Sequence, residues 1–414
     1  MSKPAIRFIH SGSFHLECPV RGLADVPEHL RAVLLDAPYE AAQRVVDAAL
    51  AEEVDFLLLS GELVECAAAG PRGPLFLVEQ FQRLRQRDVP VYWATGRVDS
   101  ADRWPAGIAL PDNVHVFPPR PASLVFETEG RPVAELIGAS YDRRRALRPA
   151  MFRPAEPALY SIAITSQSLE AESLADQRIY YWALGGRQNR GTVDDTSACA
   201  HWPGSPQGRH PTETGAHGCT LVELSGSGNP RLRYLPTDVL RWRREKLRLT
   251  PDVTIDRLQQ QMRDRIAQLS AAAAHCTIVH WHVSGQGPMV HQLRRTALSE
   301  ELLGWLRNEF GGGQRRVWSS DITVDAPAPV VDEADGQDTL LGEFLRTIHD
   351  HAAHVEGGPR WDPLPIDNEA AAAACKAAGW SDSDGRRRII ADAAALGADL
   401  LGAPHFEIRE GQDG

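Results

Sequence analysis

Several side chains able to bind metal or phosphate stand at the ends of short apolar runs in the first half of this chain. The runs are FIHSGSFHL (Phe8 to Leu16), VDFLLLSGELVE (Val54 to Glu65), VPVYWATGRVD (Val89 to Asp99) and YYWALGGRQ (Tyr180 to Gln188). Each passes from hydrophobic residues into a polar turn, so His15, Glu62, Glu65, Arg97, Asp99, Arg187 and Gln188 all lie at or just beyond a candidate strand end. Imidazole and carboxylate groups ligate divalent cations, and guanidinium groups grip phosphate bidentately. In an open α/β sheet, ligand crevices form outside the carboxyl ends of the strands. If these runs are neighbouring parallel strands, their turns converge on one crevice.

The surrounding pattern supplies such a frame. Ile6 to Ile9 is a short apolar strand, and Val54 to Leu59 is a near-continuous one, as expected for a sheet covered on both faces. Between them, Ala42, Val45, Val46, Ala49 and Leu50 recur at helical spacing within Tyr39 to Glu52, and Leu75 to Arg87 is again helical. Val89 to Ala94, His115 to Phe117, Ala122 to Thr128, Val133 to Ala139, Tyr160 to Ile164 and Tyr180 to Leu184 read as further strands. Thr220 to Leu224 and Arg231 to Leu235, split by a Ser/Gly/Asn/Pro turn, read as a hairpin. The expected layout is an α/β domain over 1–240, a small α+β domain over 241–325, a Pro- and Asp-rich linker over 326–338 and a helical region over 339–414. The second domain would use strands at Leu247 to Leu249, Thr277 to Val283 and Arg316 to Val324, with helices at Thr254 to Ser270 and Ser299 to Phe310. The last region would be helical over Leu340 to His354 and Asn368 to Leu401.

Composition narrows the functional classes. A hydrophobic content of 43% suits a soluble globular protein, and no apolar run approaches the ~20 residues that cross a bilayer. No signal-peptide pattern opens the chain, so a cytoplasmic protein with no membrane partner is expected. The 6 cysteines lack C-x-x-C spacing and suit reduced thiols. With a net charge of -11, any nucleic-acid contact must use local basic patches such as Arg143-Arg144-Arg145. His280 and His282 alternate around Trp281 and suit a polar strand face, while His349, His351 and His354 suit a solvated helix face.

These turns, together with Leu110 to Phe117, Gln207-Gly208-Arg209-His210-Pro211, Glu213-Thr214-Gly215, Gly218-Cys219, Gly285 to Pro288 and Leu340-Leu341-Gly342-Glu343, resemble the SbcD-like DNA-repair exonuclease branch of the calcineurin-like metallophosphoesterases, including its YhaO-type members. The resemblance implies a phosphoesterase β-sandwich flanked by helices, a small capping domain and a helical C-terminal region. In that family the four turns read D-x-H, G-D-x-x-D, G-N-H-D and G-H-x-H. Carried over, its metal ligands fall on Ser13, His15, Glu62, Arg97, Ile164, Gly186 and Gln188, its catalytic histidine on Val98, and its turn-bracing aspartate on Asp99. His15 alone matches outright. Glu62 keeps a carboxylate one methylene longer, Ile164 and Gly186 offer no ligand, and Arg97 brings a fixed positive charge that repels a nearby cation. Val98 cannot move a proton.

The expectation is therefore a vestigial site with no resident metal, His15 and Glu62 being its weak candidates, in which Arg97 pairs with Glu62. Arg97, Arg187, Arg209, His210, Arg143 and Arg144 are the candidate contacts to phosphate or DNA. By resemblance the partners would be DNA, an SbcC-like SMC-type ATPase docked on the C-terminal helices, and a second copy of the chain. The competing expectation is an active Mn²⁺- or Mg²⁺-dependent exonuclease or phosphodiesterase built on His15, Glu62, Glu65 and Asp99.

Overall fold

The computed structural model describes residues 3–24, 26–167, 169, 174, 178–195, 198–226, 230–272, 276–285, 288–294, 296–312, 317–325, 339–353 and 383–401. The chain divides into two compact units, 1–244 with 269–279 and 313–320, and 245–268 with 280–312 and 321–414. The expected linker and the stretch 368–382 lie outside the described residues.

Two six-stranded sheets form the first unit. One has the order β12-β11-β1-β2-β3-β4, from β1 (Ile6–Ser11), β2 (Phe56–Leu59), β3 (Val91–Trp93), β4 (Val114–Val116), β11 (Gly218–Leu224) and β12 (Arg231–Pro236). β1 to β4 run parallel, and the β11–β12 hairpin adds antiparallel strands beside β1. The other has the order β5-β6-β7-β8-β10-β9, from β5 (Ala122–Thr128), β6 (Arg131–Ala139), β7 (Tyr160–Thr165), β8 (Tyr181–Leu184), β9 (Gly191–Asp195) and β10 (Ala198–Trp202). Here β6, β7, β8 and β10 are parallel, with antiparallel strands at both edges. β9 escapes the sequence reading because GTVDD is polar, as suits an edge strand, and the five-residue β10 beside it escapes as well.

Alternation along the strands builds the sandwich. Phe8, Phe56, Leu58 and Tyr92 face Leu136, Tyr160, Ile162, Ile164 and Tyr181 across the core between the sheets. Ile9, Leu57, Leu59, Val91 and Trp93 point the other way, onto α1 (Glu28–Ala51) and α3 (Arg72–Arg85), joined by the short α2 (Cys66–Ala69). Burial on both faces explains why these strands read as continuous apolar runs. α1 begins earlier than its periodicity predicts because Pro38 lies inside it. Proline has no N–H to give the carbonyl four residues back. That carbonyl, on Leu34, instead accepts the Val20 N–H at 3.1 Å, so the helix continues through the proline.

β13 (Leu240–Leu249), β14 (Cys276–Gly285) and β15 (Val317–Val324) form a three-stranded sheet in that order, β13 being far longer than its expected span. α4 (Ile255–Ala272), α5 (Pro288–Arg294), α6 (Thr296–Phe310), α7 (Leu340–Ala353) and α8 (Ser383–Leu400) follow. Trp281 is fully buried, while His280 Nε2 and His282 Nδ1 share the Thr323 hydroxyl at 2.9 and 3.3 Å. The apolar stripe of α7 meets α8, where the Phe344 ring leaves no room for a Cβ at Gly397.

Candidate functional site

The turns after β1, β2, β3, β7 and β8 are drawn together at the carboxyl end of the sandwich, and glycines set how closely. A Cβ at Gly61 (φ +82°) would lie 2.7 Å from both Gly96 N and Ser166 Cβ. A Cβ on Gly185 would sit 1.9 Å from the Ser60 carbonyl oxygen. Backbone hydrogen bonds complete the seam, Ser13 N–H to Gly61 O at 2.8 Å and His15 N–H to Glu62 O at 3.0 Å. Ser13, His15 and Glu62 all take positive φ, of 55, 48 and 58°. Such geometry is uncommon for residues with a Cβ and clusters at functional turns.

Asp99 is the brace of this seam. Its Oδ1 accepts the N–H groups of Glu62 and Gly96, and its Oδ2 those of Leu63 (2.9 Å) and the Trp93 indole (3.2 Å). The side chain is buried, and that burial pushes its carboxyl up to about 6 against the pull of the Leu63 and Gly96 amides, with the Glu62 charge adding to the rise. Beneath the turns, His10 bridges the Tyr181 hydroxyl (2.9 Å) and Ser60 Oγ (3.0 Å). Burial, reinforced by His201, holds His10 well below the usual imidazole range, so it is neutral.

The expected site residues are only partly assembled. Glu62 Oε1 accepts the backbone N–H of Arg97 at 3.0 Å, and Oε2 is buried without a hydrogen-bond partner. The expected ion pair is not formed. Among the described residues no salt bridge joins the two side chains, because the amide of the tight turn reaches the carboxylate first and the guanidinium stays exposed. Ile164 is not at the crevice. It pairs with Gly138 and Ala183 inside the second sheet and is buried between the sheets. The residue of this segment that reaches the seam is Ser166, whose hydroxyl donates to Thr95 O at 2.8 Å and whose carbonyl lies 2.8 Å from where a Gly186 Cβ would stand. Period-two alternation leaves the two positions on the same side, so only the strand end distinguishes them.

His15 and Gln188 do meet, with Gln188 Nε2 at 3.5 Å from His15 Nε2. Gln188 Oε1 accepts Arg209 Nη2 at 3.0 Å. On its other side, His15 Nδ1 donates to Glu17 Oε1 at 3.2 Å, while Glu17 Oε2 accepts the Glu65 N–H at 2.9 Å. Burial alone would raise the Glu17 carboxyl, but the His15, Glu65 and its own backbone N–H bonds outweigh it and lower the group to about 2. Sequence reasoning misses Glu17 and its neighbour Cys18, although they follow His15 directly in His-Leu-Glu-Cys.

Arginines crowd the rim. The loop after β6 is stitched to the seam by Tyr141 N–H to Thr95 O (2.8 Å) and by Gln167 Nε2 to Arg145 O (3.0 Å). That places the exposed Arg143 and Arg144 beside the turns bearing Arg97 and Ser166. Arg187 stacks on the Trp202 ring, 3.8 Å from its centroid. His210 is turned into its own loop, bonded to Thr212 Oγ1 at 2.9 Å.

The side chains at the expected ligand positions are a hydroxyl at Ser13, an imidazole at His15, a carboxylate at Glu62, a guanidinium at Arg97, an amide at Gln188 and none at Gly186. With Ser166 engaged to a carbonyl, Glu62 Oε1 engaged to an amide and a guanidinium at Arg97, His15 and Glu62 Oε2 are left as ligand atoms, too few to hold a pair of divalent ions.

No protein-family model matches the chain. It is 29% identical over 328 residues to a protein of Bacillus subtilis (strain 168) described as an uncharacterized metallophosphoesterase, YhaO, across 76% of this chain and 80% of that protein. Among solved structures, a dimetal phosphatase from Danio rerio aligns with a TM-score of 0.32 and 9% identity over 56% of this chain and 99% of its own. A purple acid phosphatase from yellow lupin seeds aligns with a TM-score of 0.35 and 11% identity over 57% of this chain and 52% of its own.

Proposed function

We propose that this chain, a metallophosphoesterase by homology, binds the phosphodiester backbone of DNA at the strand-end crevice without hydrolysing it. The observation that carries the reading is the exchange of ligand chemistry for guanidinium chemistry. Arg97, Arg143 and Arg144 are exposed around the seam and make no ion pair among the described residues. Guanidinium groups hold phosphate oxygens in a planar fork and keep their charge at every working pH. Hydrolysis needs more. Val98 offers no proton at the place where a leaving oxygen would take one, and the donor set does not hold the paired cations that polarise a phosphate.

In this reading the protein is an SbcD-like subunit that scaffolds rather than cuts, working with an SbcC-like ATPase through its C-terminal helices and with no family-type metal pair in the strand-end crevice. Support for the partner is the likeness of Leu340-Leu341-Gly342-Glu343 to the family's segment, with Leu340 69% exposed at the start of α7.

Fluorescence anisotropy with labelled linear DNA in EDTA tests the reading. Binding is expected at low salt and should weaken on a log–log salt plot. The double charge reversal Arg143→Glu/Arg144→Glu should reduce the slope by about 1 for each phosphate that is no longer neutralised. Absence of binding in EDTA would sink the proposal. Mn²⁺-dependent cleavage that disappears in Glu62→Ala would replace it with the competing reading, a Mn²⁺- or Mg²⁺-dependent exonuclease.

A further inference from the structure

We propose that His15, Glu17 and Cys18 form a mononuclear binding site for a borderline-soft divalent cation, Zn²⁺ foremost, on the turn after β1. His15 Nδ1, Glu17 Oε1 and Cys18 Sγ all lie within 4.8 Å of one another. Nδ1 stands 3.2 Å from Oε1, and Sγ stands 3.4 Å from the same oxygen. In a tetrahedral zinc site with bonds of about 2.0 Å to nitrogen or oxygen and about 2.3 Å to sulfur, neighbouring ligand atoms are about 3.3–3.8 Å apart. Two of the three spacings are already of that order, and the third, Nδ1 to Sγ, is within 4.8 Å.

The atoms around the three donors act as an outer shell. Glu17 Oε2 is committed to the Glu65 N–H at 2.9 Å, which leaves Oε1 turned toward the imidazole and thiol. His15 Nε2 faces the Gln188 amide at 3.5 Å, which leaves Nδ1 for the cluster. Orienting partners of this kind fix the tautomer and aim of a ligating imidazole. The positive φ of 48° at His15 is the local backbone feature that folds the following residues back onto its ring. Glu17 is 5% exposed and His15 14%, so the donors are shielded, while the half-buried Cys18 leaves a side open for entry.

Binding balances simply. The ion takes the place of the Cys18 thiol proton, which leaves to solvent. Nδ1 releases its proton to solvent and Nε2 takes one up, the Gln188 amide shifting so that Oε1 accepts the new Nε2–H as well as Arg209 Nη2, which now stands 3.0 Å from it. The Arg21 guanidinium, now 3.5 Å from Sγ through Nη2, remains as an N–H donor to the coordinated thiolate. Carboxylate and thiolate together neutralise the ion, and the thiolate selects zinc over Mg²⁺ or Mn²⁺. Three protein ligands leave the fourth position to water. One ion cannot supply the two-metal clamp, so the proposal is independent of the non-hydrolytic reading.

The full chain, stripped with chelator and reconstituted separately with Zn²⁺, Co²⁺, Mn²⁺ or Mg²⁺, provides the test. One Zn²⁺ per chain should survive gel filtration, and the Co²⁺ form should show a thiolate-to-cobalt charge-transfer band in the near ultraviolet. Cys18→Ser should lose both signals while keeping the far-ultraviolet dichroism of the parent, and Cys66→Ser should keep both. Gln188→Ala should weaken zinc about 10- to 100-fold. A zinc content unchanged in Cys18→Ser and Glu17→Gln, or a cobalt spectrum without the thiolate band, overturns the proposal. DNA binding measured in EDTA stands or falls separately.

Discussion

Replacing Asp99 with asparagine separates two opposing contributions to the seam. The carboxylate receives N–H groups from Glu62, Leu63, Gly96 and the Trp93 indole, two on each oxygen. An asparagine presents one oxygen, so whichever way its amide turns, one pair of donors faces an NH₂ group. At about 1–3 kcal/mol for each buried donor left unpaired, the loss is roughly 2–6 kcal/mol. The opposing effect is desolvation. Burial raises the Asp99 carboxyl from 3.8 to about 6. Ionisation in the folded state therefore costs about 3 kcal/mol at pH 7, at 1.36 kcal/mol per unit, and a neutral amide escapes that cost. The two terms nearly offset, and a net destabilisation of about 1 kcal/mol is expected for Asp99→Asn at pH 7.

The pH dependence gives the sharper test. A raised carboxyl binds its proton more tightly in the folded state, so its contribution to stability is fully present below the unfolded value and is lost as pH rises through the folded one. Between pH 5 and pH 7 the parent should lose about 1.4 kcal/mol from this group alone, and the variant none. Urea unfolding of both proteins at matched pH, compared as a difference, cancels the other titrating groups. The deficit of Asp99→Asn should be larger at pH 5 than at pH 7. A deficit that is flat across this range, or larger at pH 7, would refute the assignment of Asp99 as a desolvated brace.

Other perturbations have equally definite outcomes. Gly185→Ala puts a Cβ 1.9 Å from the Ser60 carbonyl oxygen, and since backbone must yield, a loss of about 3 kcal/mol or more is expected in thermal or urea unfolding. His10 is held neutral by burial, so the unfolded chain takes up its proton first. Acidification below pH ~6.5 should cost the parent stability, and His10→Gln should flatten that part of the stability–pH curve. Trp202→Leu removes the ring under Arg187 and should cost roughly 0.5–1 kcal/mol in unfolding beyond the loss of packing, read from a double-mutant cycle with Arg187→Ala. Glu17 is lowered to about 2, so its stabilisation is present above the unfolded value of 4.5 and is lost as pH falls toward 2; the metal-free Glu17→Gln deficit should shrink over that window.

Much of the frame was legible because hydrophobic periodicity reports burial directly. The parallel strands of the first sheet are apolar on both faces, so Phe-Leu-Leu-Leu at β2 announces itself, and the β11–β12 hairpin is marked by its turn residues. Where residues are polar for reasons of position, the signal fails. GTVDD lies at a sheet edge and reads as loop, and the first turns of α1 are hidden behind Pro38, whose missing hydrogen bond is made good by Val20, a residue well removed in sequence.

The candidate site divides along the same line. Residue types alone established which chemistry the turns carry: imidazole at His15, carboxylate at Glu62, guanidinium at Arg97 and an aliphatic side chain at Val98. The family resemblance implied a turn-bracing role for Asp99, while the competing reading kept it among the candidate ligands; its four accepted N–H groups show the brace. What sequence could not assign is which atom of each residue does the work. Arg97 meets Glu62 through its amide and not its guanidinium, Ser166 rather than Ile164 reaches the seam, and Glu17 and Cys18 turn back onto His15. Each of these depends on where a strand ends and on the sign of φ at one turn residue. Those are set by packing among chain segments far apart in sequence, which local composition does not encode.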